Sequence, residues 1–196
     1  MNDIKIFDNV LPKGYADQIE LDISRTGFPW FYIDDVTNKN YGNNAGLVHP
    51  AYDFNEEPSQ WHPFIRPLIY TVEELNQVPI TQLLRIRVGL LTKNNGDSSI
   101  YNTPHIDFTV PHYTACYYVN DSDGDTVIFD QKLSDLGSAE HNEQNIKKYV
   151  EQAKFTVAKR CSPNKNSLCI FNGERFHSSS MPTTHNKRFV ISINYL

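Results

Sequence analysis

The second half of the chain is written in a two-residue period. From Gln82 onward, LLRIRVGLLT sets Leu84, Ile86, Val88 and Leu90 against Arg85, Arg87, Gly89 and Leu91, the alternation of a half-buried strand. HYTACYYV, DTVIFD, FTVAKRC, SLCIFNG and RFVISINYL continue the texture, with turn clusters such as NDSDGD and SPNKNS between them. A polar insert near 131–153, partly helical around IKKYVEQA, interrupts the series. The first 80 residues read differently. LPKGYADQIELDISRTG carries Ala16, Ile19, Leu21 and Ile23 among polar positions and stops at Gly27. SQWHPFIRPLIYTVEELNQ repeats Phe64, Ile65, Leu68, Ile69, Val72 and Leu75 at spacings of three and four. Both predict amphipathic helices, the second kinked or started by Pro67. DVTNKNYGNNAG between them reads as loop. Helices followed by many short strands predict a mainly β sandwich or barrel with flanking helices. No repeat or compositional break divides the chain, so the expectation is one domain over 1–196: 1–80 as helical and loop support, 82–196 as the β core.

Composition narrows the class. The 196 residues are 39% hydrophobic and 12% aromatic, enough for a sizeable core, which excludes a disordered chain or a coiled coil. A net charge of -5 disfavours a broad nucleic-acid-binding face. No apolar run approaches the roughly 20 residues of a membrane span, and MNDIKIFDNV lacks a signal-peptide layout. Cys116, Cys161 and Cys169 are an odd count that fits reduced thiols. A cytoplasmic protein without membrane partners is expected, and the sequence sets no oligomeric state.

The histidines carry the candidate chemistry. In extended backbone, His105 and Asp107 point to the same side, bringing an imidazole and a carboxylate together. Taken alone, the tripeptide reads as a surface histidine beside a turn aspartate, and only its context changes that. His177 follows the strand SLCIF and the turn NGERF, and Arg188 heads the last strand eleven residues later. In that strand Phe189, Ile191, Ile193 and Tyr195 form an apolar face, whereas Arg188, Ser192 and Asn194 share the other with Val190. A polar cavity inside a barrel would explain this; a half-exposed edge strand is the alternative. Two histidines and one carboxylate leave positions open on an octahedral metal, a set suited to non-haem Fe(II). A nearby guanidinium can hold a dicarboxylate by paired, charge-assisted hydrogen bonds. His141 and His185 read as solvated, His49 and His62 as structural, and His112 lies between a structural role and the pocket. Arg85 and Arg87 read either as pocket-lining or as exposed and salt-bridged groups.

The H-x-D pair, the histidine about seventy residues on and the arginine roughly ten further resemble the signature of the Fe(II)/2-oxoglutarate-dependent dioxygenases. The resemblance covers about residues 84 to 196 and is most marked to the prolyl-4-hydroxylase-like branch, which includes small stand-alone members in bacteria and their viruses. It implies a double-stranded β-helix, the cupin-like jelly roll. His105, Asp107 and His177 would ligate iron. Arg188, with Tyr118 on the TACYYVND strand, would bind the 5-carboxylate of 2-oxoglutarate. Ser192 and Asn194 would line the pocket near the metal, and Cys116, which shares a face with Thr114 and Tyr118, would line the co-substrate pocket. Fe(II), 2-oxoglutarate and O2 are the implied cofactor and co-substrates, with ascorbate an optional accessory. The implied reaction is hydroxylation of a protein (prolyl-like) or small-molecule C–H bond with release of succinate and CO2. The carboxylate of Asp107 favours hydroxylation, because related halogenases carry a small residue there. Val190 stands where some relatives have the serine of an R-x-S pair, collagen-type enzymes use Lys in place of Arg188, and the 131–153 insert has no counterpart. Two rival readings use the same residues: a non-catalytic jelly-roll binding module, and a zinc-dependent hydrolase with a metal-bound water. Neither needs a dicarboxylate anchor. Segments 28–35 and 41–53 are candidate covers for the pocket, with core packing the alternative for Phe28, Trp30, Phe31 and Tyr32.

Overall fold

The computed structural model describes residues 3–37, 45–97, 99–137 and 141–196. Seven strands form one antiparallel sheet: β1 (Ile4–Phe7), β2 (Phe31–Ile33), β3 (Gly46–Asp53), β4 (Leu83–Thr92), β5 (Tyr113–Tyr118), β8 (Ser167–Asn172) and β10 (Lys187–Tyr195), in the spatial order β1-β8-β5-β10-β4-β3-β2. The second sheet is β7 (Val157–Cys161), β6 (Thr126–Lys132) and β9 (Arg175–Ser179), in that order. A backbone bridge between His105 and His177 adds a fourth line to its edge. The two sheets make the double-stranded β-helix, with α1 (Lys13–Ser24), α2 (His62–Ile65) and α3 (Pro67–Asn76) in the N-terminal part.

The period of two decides what each face of the large sheet meets. Ile86 and Val88 of β4, Ala115 and Tyr117 of β5, Leu168 and Ile170 of β8, and Phe189, Ile191, Ile193 and Tyr195 of β10 are all buried. They form one apolar cluster with Ala16, Ile19, Ile23, Ile65, Leu68 and Val72 of the helices. Leu21, two residues past Ile19, turns about 200° around α1 and is exposed. Pro67 starts α3 after Arg66, since proline is tolerated where its missing N–H has no partner to lose.

Two segments differ from expectation, and a third, 28–35, takes the core-packing reading for two of its aromatic residues. Residues 46–53 are β3, paired with β4, and so do not form a loop over the pocket; 41–44 lie outside the described residues. Pro50 falls where the β3–β4 register shifts, a place at which a missing ladder donor is tolerated. Phe28 and Trp30 enter the core, Trp30 stacking on Phe189 at 5.7 Å between ring centres, while Phe31 and Tyr32 on the edge strand β2 are exposed. Arg175–Ser179, expected as a turn and a serine-rich stretch, is strand β9 against β6. The polar insert holds a 3-10 turn at Leu133–Leu136 and helix α4 (Glu143–Gln152); residues 138–140 lie outside the described set. Among the described residues no helix is long and apolar enough to cross a membrane.

His49 ties the N-terminal segments together. Its Nδ1 is 2.9 Å from the Pro29 carbonyl and its Nε2 2.8 Å from Ser59 Oγ. Burial holds its pKa below the ordinary value of 6.5 despite the Pro29 bond. In the window just below pH 6.5 the unfolded chain therefore takes up a proton that the folded one resists, and stability falls as pH falls. Urea midpoints should decline from pH 7.5 to 5.5, and His49→Gln should flatten that decline; an unchanged slope would contradict this role.

Candidate metal centre and adjoining cavity

The register of β4 on β10 sets Arg85 opposite Asn194, Arg87 opposite Ser192, Gly89 opposite Val190 and Leu91 opposite Arg188. These are the positions of the inward face. Across from them, His105 and His177 exchange two backbone N–H···O=C bonds of 2.9 Å, so their rings lie side by side with centres 4.5 Å apart. Each Nδ1 faces a carbonyl two residues earlier, Thr103 at 3.4 Å and Arg175 at 3.2 Å. A carbonyl can only accept, so Nδ1 keeps the proton and Nε2 presents its lone pair. Asp107 completes the group: one ligand atom from each of His105, Asp107 and His177 lies within 4.8 Å of the others. Ile106 between them is fully buried and pins the segment.

Asp107 is held as an anion by a closed set of donors. Arg85 Nη2 donates to its Oδ1 at 2.5 Å and Asn194 Nδ2 to its Oδ2 at 2.8 Å. Arg85 Nε donates to Asn194 Oδ1 at 3.1 Å, and Asn194 Nδ2 also reaches Thr114 Oγ1 at 3.0 Å. Burial by itself would raise the Asp107 pKa, but the charge of Arg85, helped by His177 and His105, holds it well below the usual carboxylate range. Burial, then the neighbouring His177, pushes the His105 imidazole down to about 3, so it is neutral and ready to ligate. A neutral His105 imidazole, the His177 imidazole with its Nε2 3.6 Å from Asp107 Oδ2, and the Asp107 carboxylate are a donor set that fits a divalent transition metal.

The other end of the site is built around Arg188, only 2% exposed. Its Nη2 donates to Thr126 Oγ1 at 2.7 Å, its Nε has no partner, and no carboxylate pairs with it among the described residues. A cavity of about 110 Å³ joins this guanidinium to the three candidate ligands, with Cys116 and Ser192 on its wall, where the family resemblance put them. An unpartnered buried donor facing a cavity fits an anionic ligand.

Tyr118 is not on that wall. Its hydroxyl donates to the Cys161 carbonyl at 3.5 Å and its ring stands 5.6 Å from Arg188 Cζ, so Thr126, which sequence reading passed over, takes the place beside the guanidinium. Tyr118 is opposite Val190 rather than Arg188, a tertiary detail that the strand pattern alone does not carry. Asn194 acts on Asp107 and is absent from the lining. Arg85 is both salt-bridged and pocket-lining, and Arg87 also lines the cavity. Burial lowers the Arg87 pKa to about 10, which leaves it charged at neutral pH. His112 packs away from the cavity, its Nδ1 2.8 Å from the Val110 carbonyl and its ring against Gly173, where any Cβ would overlap it. His185 bonds Asp123 at the surface.

No protein-family model and no curated protein matches the chain. Solved structures do, over nearly its whole length. The α-ketoglutarate-dependent epimerase SnoN of nogalamycin biosynthesis is 15% identical with a TM-score of 0.66, covering 99% of this chain and 78% of that one. A Trichoplax adhaerens prolyl hydroxylase, solved with a peptide fragment of hypoxia inducible factor, is 14% identical at 0.62, covering 100% and 84%. A Pseudomonas putida prolyl-4-hydroxylase is 9% identical at 0.54, covering 98% and 91%. SnoN has also been crystallised with Fe3+ and α-ketoglutarate. The chain therefore has the jelly-roll fold of the 2-oxoglutarate, Fe(II) oxygenases, prolyl hydroxylases among them, in agreement with the resemblance seen in its motifs.

Asn194 is fully buried, so removing its side chain strands Arg85 Nε and Thr114. Asn194→Ala should cost about 1–3 kcal/mol of stability and weaken divalent metal binding by roughly 10–100-fold. Urea unfolding and Ni(II) titration measure both; unchanged metal affinity would contradict the positioning role.

Proposed function

We propose that the chain is an Fe(II)- and 2-oxoglutarate-dependent dioxygenase that hydroxylates a C–H bond of a protein or small-molecule substrate. One observation carries the reading. Two histidines and one carboxylate, of which His177 is buried and His105 and Asp107 half-buried, share a cavity with a buried guanidinium that has no counter-charge among the described residues. A zinc hydrolase would need the first half of this arrangement and have no use for the second.

His105, Asp107 and His177 would hold the metal through two Nε2 atoms and one carboxylate oxygen. Arg188 would take the far carboxylate of 2-oxoglutarate on its free donors, with Thr126 fixing the guanidinium plane through Nη2. When both are bound, iron and the keto acid supply oxidative decarboxylation: one atom of O2 enters succinate, the other the substrate C–H bond, and CO2 leaves. The protein's part would be to hold these ligands in place. Arg85 and Asn194 occupy both oxygens of Asp107 from behind, so the carboxylate is oriented before any metal arrives. Leu91 and Val190 line the space between the two ends with apolar surface.

Aerobic incubation with Fe(II) and 2-oxoglutarate should produce succinate without added substrate, slowly, and Asp107→Ala should abolish it. Arg188→Ala removes a charge-assisted contact worth about 1.5–3 kcal/mol, so half-saturating 2-oxoglutarate should rise roughly 10–100-fold while metal affinity stays within about twofold. Absence of succinate from metal-loaded protein, or equal loss of metal and co-substrate binding in Arg188→Ala, would contradict the assignment.

A further inference from the structure

Among the described residues three guanidinium groups line the cavity, and only one carboxylate, that of Asp107, lines it with them. Asp107 is matched by Arg85. Arg188, on the reading above, is matched by the co-substrate. Arg87 is left over. Its Nη1 donates to the Val36 carbonyl at 2.8 Å, and no carboxylate pairs with it among the described residues. Arg87 is half-buried, with Asp107 and Asp53 the acidic groups that act on it from a distance; a partly desolvated charge gains from a direct anionic partner, and among the described residues only Nη1 of its guanidinium has a hydrogen-bond partner.

Arg87 is opposite Ser192, four residues along β10 from Arg188, a spacing of about 13 Å. On its other side it is opposite Pro50 of β3, where Val36, Leu47 and Val48 wall the cavity. Arg87 thus stands on the flank furnished by the N-terminal segment, and its immediate surroundings are a charged group beside an aliphatic wall.

We propose that Arg87 is a specificity-determining residue that binds the carboxylate of the substrate, and that the substrate is a small aliphatic carboxylic acid whose chain lies against Val36, Leu47 and Val48. The proposal rests on the oxygenase reading and narrows it: the oxidised molecule is a small acid, not a protein side chain.

The test uses the full chain loaded with Ni(II) and saturated with 2-oxoglutarate, titrated calorimetrically with butanoate, hexanoate and octanoate and with their primary amides. At least one acid should bind about tenfold or more tightly than its amide, the worth of one charge-assisted contact. Arg87→Gln should erase that preference, and Arg87→Lys, which keeps the charge, should retain part of it. Separate titration with 2-oxoglutarate should give values within about twofold for wild type and both variants, which also shows that they are folded. Equal binding of acids and amides, or no binding of any acid while 2-oxoglutarate binds normally, overturns the proposal alone. A loss of 2-oxoglutarate affinity in Arg87→Gln as large as in Arg188→Ala also overturns it, making Arg87 a co-substrate ligand. Failure of wild type to bind 2-oxoglutarate overturns the oxygenase reading and this proposal with it.

Discussion

The interior of this protein depends on one arrangement, the ring formed by Arg85, Asp107 and Asn194. An isolated carboxylate in that position would protonate rather than stay charged. Two donors on the two oxygens of Asp107, one from each of two adjacent strands, keep it an anion. The ring in turn depends on register. Arg85 meets Asn194 only because β4 and β10 pair as they do, and a slip of one residue would send both to the other face. What forbids the slip is the opposite face, where Ile86, Val88, Ile191 and Ile193 are buried against the helices. Apolar packing outside the barrel thus secures a polar geometry inside it.

The same division of labour explains the N-terminal third. Its helices cover the apolar face of the large sheet, and β3 extends that sheet beyond β4. His49 and Trp30 lock the connecting segments to this frame, His49 through two hydrogen bonds and Trp30 through its stack on Phe189. Val36, Leu47 and Val48 then wall one flank of the cavity. The support and the pocket are one construction, with excess positive charge facing inward in a chain whose net charge is -5.

Most of the site was legible because strands alternate. Wherever the alternation was clean, as in β4 and β10, the sequence separated the packing residues from the inward ones, Arg188 among them; the grouping of His105, Asp107 and His177 with Arg188 came from their spacing and the family resemblance it carries. It failed where local composition spoke against the tertiary outcome. β3 contains Pro50 and follows an Asn- and Gly-rich stretch, so it read as loop. β9 is five residues of RFHSS after a turn, too short and polar to stand out, although pairing with β6 makes it a strand. Leu21 has the right chemistry for a core position and the wrong angle on α1. Tyr118 stands off the cavity wall, and Thr126, to which no role was expected, bonds Arg188, for a similar reason. Which hydroxyl reaches Arg188 depends on how the two sheets face each other, and no period within a single strand encodes that.

The central claim is that the three-ligand cluster and the Arg188 guanidinium serve one bound pair, a ferrous ion and a keto diacid. Anaerobic absorption spectroscopy tests it most directly. A weak visible charge-transfer band should appear when both Fe(II) and 2-oxoglutarate are present and with neither alone, because only chelation of the metal by the keto acid produces it. The band should be missing in Asp107→Ala. Stoichiometric Fe(II) binding without that band at saturating 2-oxoglutarate would contradict the account, leaving a metal site with no co-substrate and a buried arginine with no partner.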